Sequence, residues 1–195
     1  MKNAVFFLTA TLFILSCNND TKEANNIVRV EETSTEFFPV TAYLKGQISE
    51  MKNSGVNPLK ITSTGGKMDS VWLKQEEIDS AFSEFVTPVI DTANMLDFFT
   101  ESKFHDQTLN SFTFTYEPKQ PLPATLSLKR WDVYVNPETN RVKRIYIEKT
   151  GSGTTQMQLS WLAGNNARVV YLSTDASGTQ KIIKEVLIKW NFDED

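Results

Sequence analysis

Cysteine and histidine each occur once in this chain of 195 residues, and that scarcity removes several kinds of chemistry at the outset. A disulfide framework needs paired cysteines, and HExxH catalysis needs two histidines on one helix face. A single chain can build neither here. Long apolar runs are scarce as well: Ala4 to Leu15 falls short of the ~20 residues that a spanning helix needs. Positive charge is in deficit, with 20 Lys and Arg against 24 Asp and Glu, a formal net charge of −4. The most basic stretch, KRWDVYVNPETNRVKR, is broken by Asp132 and Glu138, so no stripe for a phosphate backbone exists and nucleic acid is not an expected partner. The glycine-containing turns are STGG, TGSG, AGNN and DASG. None has the lysine and following helix of a phosphate loop, or enough oxygen ligands for a calcium loop, so no metal and no cofactor are expected.

Aromatic residues are what the chain has in abundance. Its 13 phenylalanines and 4 tryptophans exceed what a small surface should display, and most must enter a core. Residues 27–195 are enough for one such core, and a single domain is expected there.

The lone cysteine has a telling position. Lys2 supplies a short positive region and Ala4 to Leu15 an apolar one of about secretory-signal length. The run then ends in Ile14-Leu15-Ser16-Cys17. This resembles the lipobox of bacterial lipoproteins: an aliphatic residue three before the cysteine and a small residue directly before it. The resemblance implies a signal peptide over 1–16, cleavage between Ser16 and Cys17, and lipidation of Cys17 on its sulfur and its new amino group. An uncleaved anchor with a free thiol is the bland alternative, but no second cysteine could protect it in an oxidising compartment. Two or more acyl chains give stable attachment where one leaves it reversible. Residues 17–26 carry no large apolar side chain after the cysteine and suit a flexible tether. Asn18 lacks the acidic character of inner-membrane retention signals, so the resemblance favours the outer membrane, with periplasmic and surface faces both open. The chain as a whole resembles the small Bacteroidetes lipoproteins of unknown function.

Periodicity supplies the fold. Phe37, Val40, Leu44, Ile48 and Met51 recur at helical steps and predict a helix near 36–52, capped by Ser34 or Thr35. LKITSTGGKMDSVWL reads as two short strands about Gly65-Gly66. Ile78, Phe82, Phe85, Val89, Ala93 and Leu96 predict a second helical region near 75–99, interrupted at Thr87-Pro88, where a new helix begins. After Asn110 the period becomes two. Strands are expected near 111–117, 126–135, 141–149, 155–162, 167–174 and 181–190, joined by NPETN, GSG, AGNN and DASG. The predicted fold class is α+β, with helices packed on one face of a twisted antiparallel sheet, a meander of about six strands.

Catalytic constellations are thin. His105 in ESKFHDQTLN lies near Glu101 and Asp106, yet no GxSxG elbow accompanies it, and it reads as a histidine at a helix C-terminus. Asp132, Glu148 and Glu185 could form a hydrolytic carboxyl pair only if the fold brings two together. The most distinctive phrase is the hairpin 126–149. Arg130, Trp131, Asp132 and Tyr134 on its first strand, with Arg144, Tyr146 and Glu148 on its second, form either cross-strand pairs or a recognition surface. The leading expectation is a noncatalytic envelope lipoprotein that binds a protein partner or assists envelope assembly. A carbohydrate or small-ligand module and a carboxylate hydrolase are the alternatives.

Overall fold

The computed structural model describes residues 36–108 and 110–192. The signal peptide 1–16, the cleavage pair Ser16 and Cys17, the tether and the caps expected at Ser34 and Thr35 lie outside those residues.

The first described element is α1, Val40–Asn53, which buries Val40, Leu44, Ile48 and Met51 at the predicted helical spacing. Pro39 stands at its N-cap, so the helix starts later than the 36–52 span expected. The hairpin strands β1, Leu59–Thr64, and β2, Lys67–Trp72, follow. Gly65 and Gly66 have φ of 55° and 79°, both left-handed, as a tight two-residue hairpin turn requires.

The second helical region corrects the sequence reading. In place of two abutting helices near 75–99 stand a 3-10 turn at Gln75–Glu77 and three single-turn helices: α2, Ile78–Ala81; α3, Ser83–Val86; and α4, Thr92–Met95. Thr87 is extended and ends α3, in keeping with the bias of residues before proline, and no helix starts at Pro88. Asp91 caps α4 instead, accepting from the Asn94 N–H at 3.0 Å. The chain then enters β3, Phe99–Asp106, a strand that the sequence reading had assigned to the helix end.

The six strands expected after Asn110 are present as β4, Ser111–Pro118; β5, Leu128–Val135; β6, Val142–Thr150; β7, Thr155–Leu162; β8, Asn166–Thr174; and β9, Gln180–Lys189. The sheet nevertheless has nine strands rather than six, in the order β2-β1-β9-β8-β7-β6-β5-β4-β3, with every pairing antiparallel. It is not one simple meander, because the first hairpin joins the sheet beside the last strand. The segment between β2 and β3 must therefore cross the whole sheet, roughly 38 Å at ~4.8 Å per strand, and it does so over one face. Along that crossing each single-turn helix buries an apolar residue of its own, Ile78, Phe85 and Met95.

The core lies between this crossing layer and the sheet. Phe82 and Phe85 stand 5.2 and 5.6 Å from the Trp161 ring, and Phe82 also meets Trp190 at 5.8 Å. At the other end Phe37 and Phe99 pack on Trp131, which stacks on Tyr116 at 4.5 Å. Two polar devices tie the layers together. Thr41 on α1 accepts the buried Ile90 N–H at 2.8 Å. Lys149, buried at the inward end of β6, donates to the Glu84 and Thr87 carbonyls at 2.7 and 2.9 Å and to the Glu84 carboxylate at 2.6 Å. A lysine is rarely buried without such partners. Among the described residues no helix is long and apolar enough to cross a membrane.

Candidate functional site

Strand alternation sends Trp131, Val133, Ile145 and Ile147 inward and leaves their neighbours on the face away from the helices. On that open face Arg130 stands opposite Glu148, Asp132 opposite Tyr146, and Tyr134 opposite Arg144. The structure thus unites five of the six predicted recognition residues on one surface. Trp131 is corrected: it is fully buried among Phe37, Phe99 and Tyr116, and it takes no part in that surface.

The polar cluster is internally paired. Arg130 holds Asp132 at 3.1 Å and reaches Glu117 of β4 at 3.8 Å. Asp132 is only 4% exposed although no described helix covers it, since Arg130, Tyr134 and Tyr146 close around it. The Tyr146 hydroxyl donates to Glu148 at 3.1 Å. Burial, then the Glu148 charge, pushes the Tyr146 phenol well above its ordinary range. Burial, then the Asp132 charge, raises Tyr134, while Arg144 and Arg130 pull the other way. For Arg130 the loss of solvation opposes its charge, yet the hydrogen bond and charge of Asp132, with Glu148 and Glu117, hold it above the usual arginine value. Three carboxylates therefore gather around one guanidinium, an ion-pair network rather than an acid and a base facing each other across a cleft.

Beyond Tyr134 the surface opens. Tyr134 faces Arg144 while Val135 faces Val142, which makes Lys143 the extra residue of a β-bulge. In a regular strand consecutive residues point to opposite faces; here Lys143 and Arg144 line the same cleft, with Ser111, Tyr134 and Leu162, around a volume of about 330 Å³. The sequence reading named Tyr134 and Arg144 but missed Ser111, Lys143 and Leu162. A bulge becomes visible only when two strands are paired, so nothing local in the sequence marks it.

His105 is corrected too. It lies on β3, exposed, with its ring 4.5 Å from Phe112, and not at a helix end. Glu101 on the same strand has its carboxyl raised by burial and bonds to the Tyr116 hydroxyl, which in turn accepts the Phe38 N–H at 3.1 Å. Tyr116 is fully buried and Phe38 packs against the core, so the chain of bonds fixes the entry to α1. Glu185, the third carboxylate considered for hydrolysis, is occupied by Arg168 at 2.8 Å. Among the described residues no group of three or more acidic, histidine or cysteine side chains is placed to hold a metal ion.

A group of exposed apolar side chains lies elsewhere, at the β2 end. Met68, Val71 and Trp72 of β2 are exposed, and Trp72 meets Phe192 at 5.6 Å. Two other clefts are less suited to recognition. One beside α1 is bridged by the Lys52–Asp79 ion pair at 2.6 Å, and the other is framed by Pro118, Pro121 and Pro123. No protein-family profile matches the chain, and no curated protein or solved structure is significantly similar to it.

Proposed function

We propose that the protein is a noncatalytic lipoprotein of the bacterial cell envelope, anchored in the outer membrane through Cys17, whose open sheet face holds a protein partner. The observation that carries this reading is the open face itself. Helices pack on one side of the sheet, while the other presents Arg130, Tyr134, Arg144 and Tyr146, residue types enriched where proteins meet. Its extent is adequate: nine strands at ~4.8 Å spacing and ~8 residues in length give roughly 1,000 Å², against ~800 Å² per partner in a standard interface. The glycan alternative loses the hairpin's tryptophan, Trp131, to the core; the exposed Trp72 stands away from the hairpin, at the β2 edge of the sheet. The hydrolase alternative meets carboxylates already engaged by Arg130 in an ion-pair network.

Two experiments test the reading. A photo-crosslinking residue placed at Ser160 or Gln158 on the open face should give one discrete adduct in intact cells, and the same residue at Lys45 on α1 should give none. Equal adducts from both faces, or none from the open one, would overturn it. For the anchor, Cys17→Ala should abolish fatty-acid labelling and leave the precursor uncut; unchanged processing would remove the lipoprotein assignment.

A further inference from the structure

Three arginines on the open face fare differently. Arg130 is occupied by Asp132 and Glu117. Arg168 forms a two-pronged pair with Glu185, at 2.9 Å from Nε and 2.8 Å from Nη2. Arg144, exposed on β6 between Tyr134 and Leu162, has no carboxylate partner among the described residues. The Tyr134 hydroxyl beside it likewise has no hydrogen-bond partner among those residues. The β-bulge brings a second cation, Lys143, to the same cleft, which a regular strand would have sent to the other face.

We propose that this cleft is a carboxylate site, and that the partner fills it with an acidic side chain or a chain-terminal carboxylate carried on an apolar stem. The inference rests on the protein-partner reading and names the chemistry by which that partner is held. The Arg144 guanidinium offers the planar fork that matches a carboxylate, with the Tyr134 phenol as a second donor, while Lys143, which already has an interaction of its own, lines the wall beside them. Burial keeps that phenol protonated, so it donates across the physiological range. Leu162 supplies an apolar wall for the stem. Ser111 forms the rim, its hydroxyl already donated to the Val135 carbonyl at 3.3 Å, so it adds shape rather than a free donor. A volume of about 330 Å³ sits at the small end of ligand clefts and suits one side chain rather than a whole cofactor.

Benzoate serves as the probe, with benzamide as its neutral counterpart and inorganic phosphate as the competing anion. In nitrogen- and methyl-detected NMR of the full chain in detergent, benzoate should shift the Arg144 Nε–H and Leu162 methyl signals saturably. Benzamide should leave them in place. Arg144→Gln, an exposed change that the fold tolerates, should weaken benzoate by about tenfold or more, the weight of a charge-assisted pair. Arg168→Gln, on the same face, should leave binding unchanged. Equal shifts with benzamide, or equal loss in Arg168→Gln, would overturn the site, and tighter binding of phosphate would overturn its carboxylate assignment. The two readings fail separately. Open-face crosslinks that persist without any benzoate binding leave the partner and remove this site; saturable benzoate binding without crosslinks leaves the carboxylate chemistry and removes the partner.

Discussion

Trp131 and Asp132 are adjacent in the chain and almost equally hidden, at 0% and 4% exposure, for opposite reasons. Trp131 is covered by another layer, packed against rings from α1's approach and from β3 and β4. Asp132 has no described layer above it and is closed in by its own strand neighbours and its ion pair with Arg130. One face of the sheet thus derives its burial from apolar packing between layers. The other derives it from polar side chains lying across each other, which a partner could rearrange without unfolding anything. Helix-side substitutions should therefore act on stability, and open-face substitutions on recognition.

Trp161→Ala tests the first half most severely. It removes a fully buried ring from contact with Phe82, Phe85 and Trp190 and should cost about 3–5 kcal/mol in a denaturant titration. A loss below 1 kcal/mol would mean the helical layer is not what holds that face. Lys149→Met should come next, at about 2 kcal/mol, because it withdraws a buried donor from the Glu84 and Thr87 carbonyls. Glu84→Gln should cost less than Lys149→Met, since the Glu84 side chain is 41% exposed and the carbonyl partners remain.

On the open face the numbers shrink. Asp132→Ala should lower stability by about 1 kcal/mol, leaving Arg130 with only the more distant Glu117 and Glu148 charges. Tyr146→Phe should stay within about 0.5 kcal/mol of the parent while reducing the open-face crosslink. A large stability loss in Tyr146→Phe, with crosslinking intact, would reverse the division of labour.

Two carboxylates sharpen the contrast through pH. Glu101, on the helix side, has its folded pKa raised by burial. Its contribution is full below the unfolded pKa and is lost as pH rises through the folded one. Asp175, in the β8–β9 turn, has its pKa lowered by the Ser177 hydroxyl and by backbone N–H groups. Its contribution is present above the unfolded pKa and is lost as pH falls through the folded one. From acid to neutral pH, Glu101→Gln should gain stability relative to the parent and Asp175→Asn should lose it. Parallel slopes in thermal melts would contradict these assignments.

Much of this was legible locally. The alternation ending in Trp161 and Trp190 identified the face that the helices cover, and Gly65-Gly66 identified its hairpin. β3 escaped notice because its helix-side residues read Phe99, Glu101, Lys103 and His105, and its open-side residues Thr100, Ser102, Phe104 and Asp106. An edge strand that extends past the helical layer needs no apolar alternation. Lys149 was illegible for a related reason. By spacing it points inward with Ile145 and Ile147, but by composition a lysine belongs outside, and only the carbonyls of α3 and Thr87 reconcile the two.

By itself the sequence determined the period-two strands after Asn110, the turns between them and the side of each strand that is apolar, because backbone preference and alternation act over a few residues. Only the tertiary structure decided that β1 sits beside β9, that the helical crossing breaks into single turns, and that Lys143 joins Arg144 in one cleft. The first two depend on which distant strand closes which edge, and no local preference encodes a neighbour more than a hundred residues away; the third depends on the register in which β5 and β6 pair.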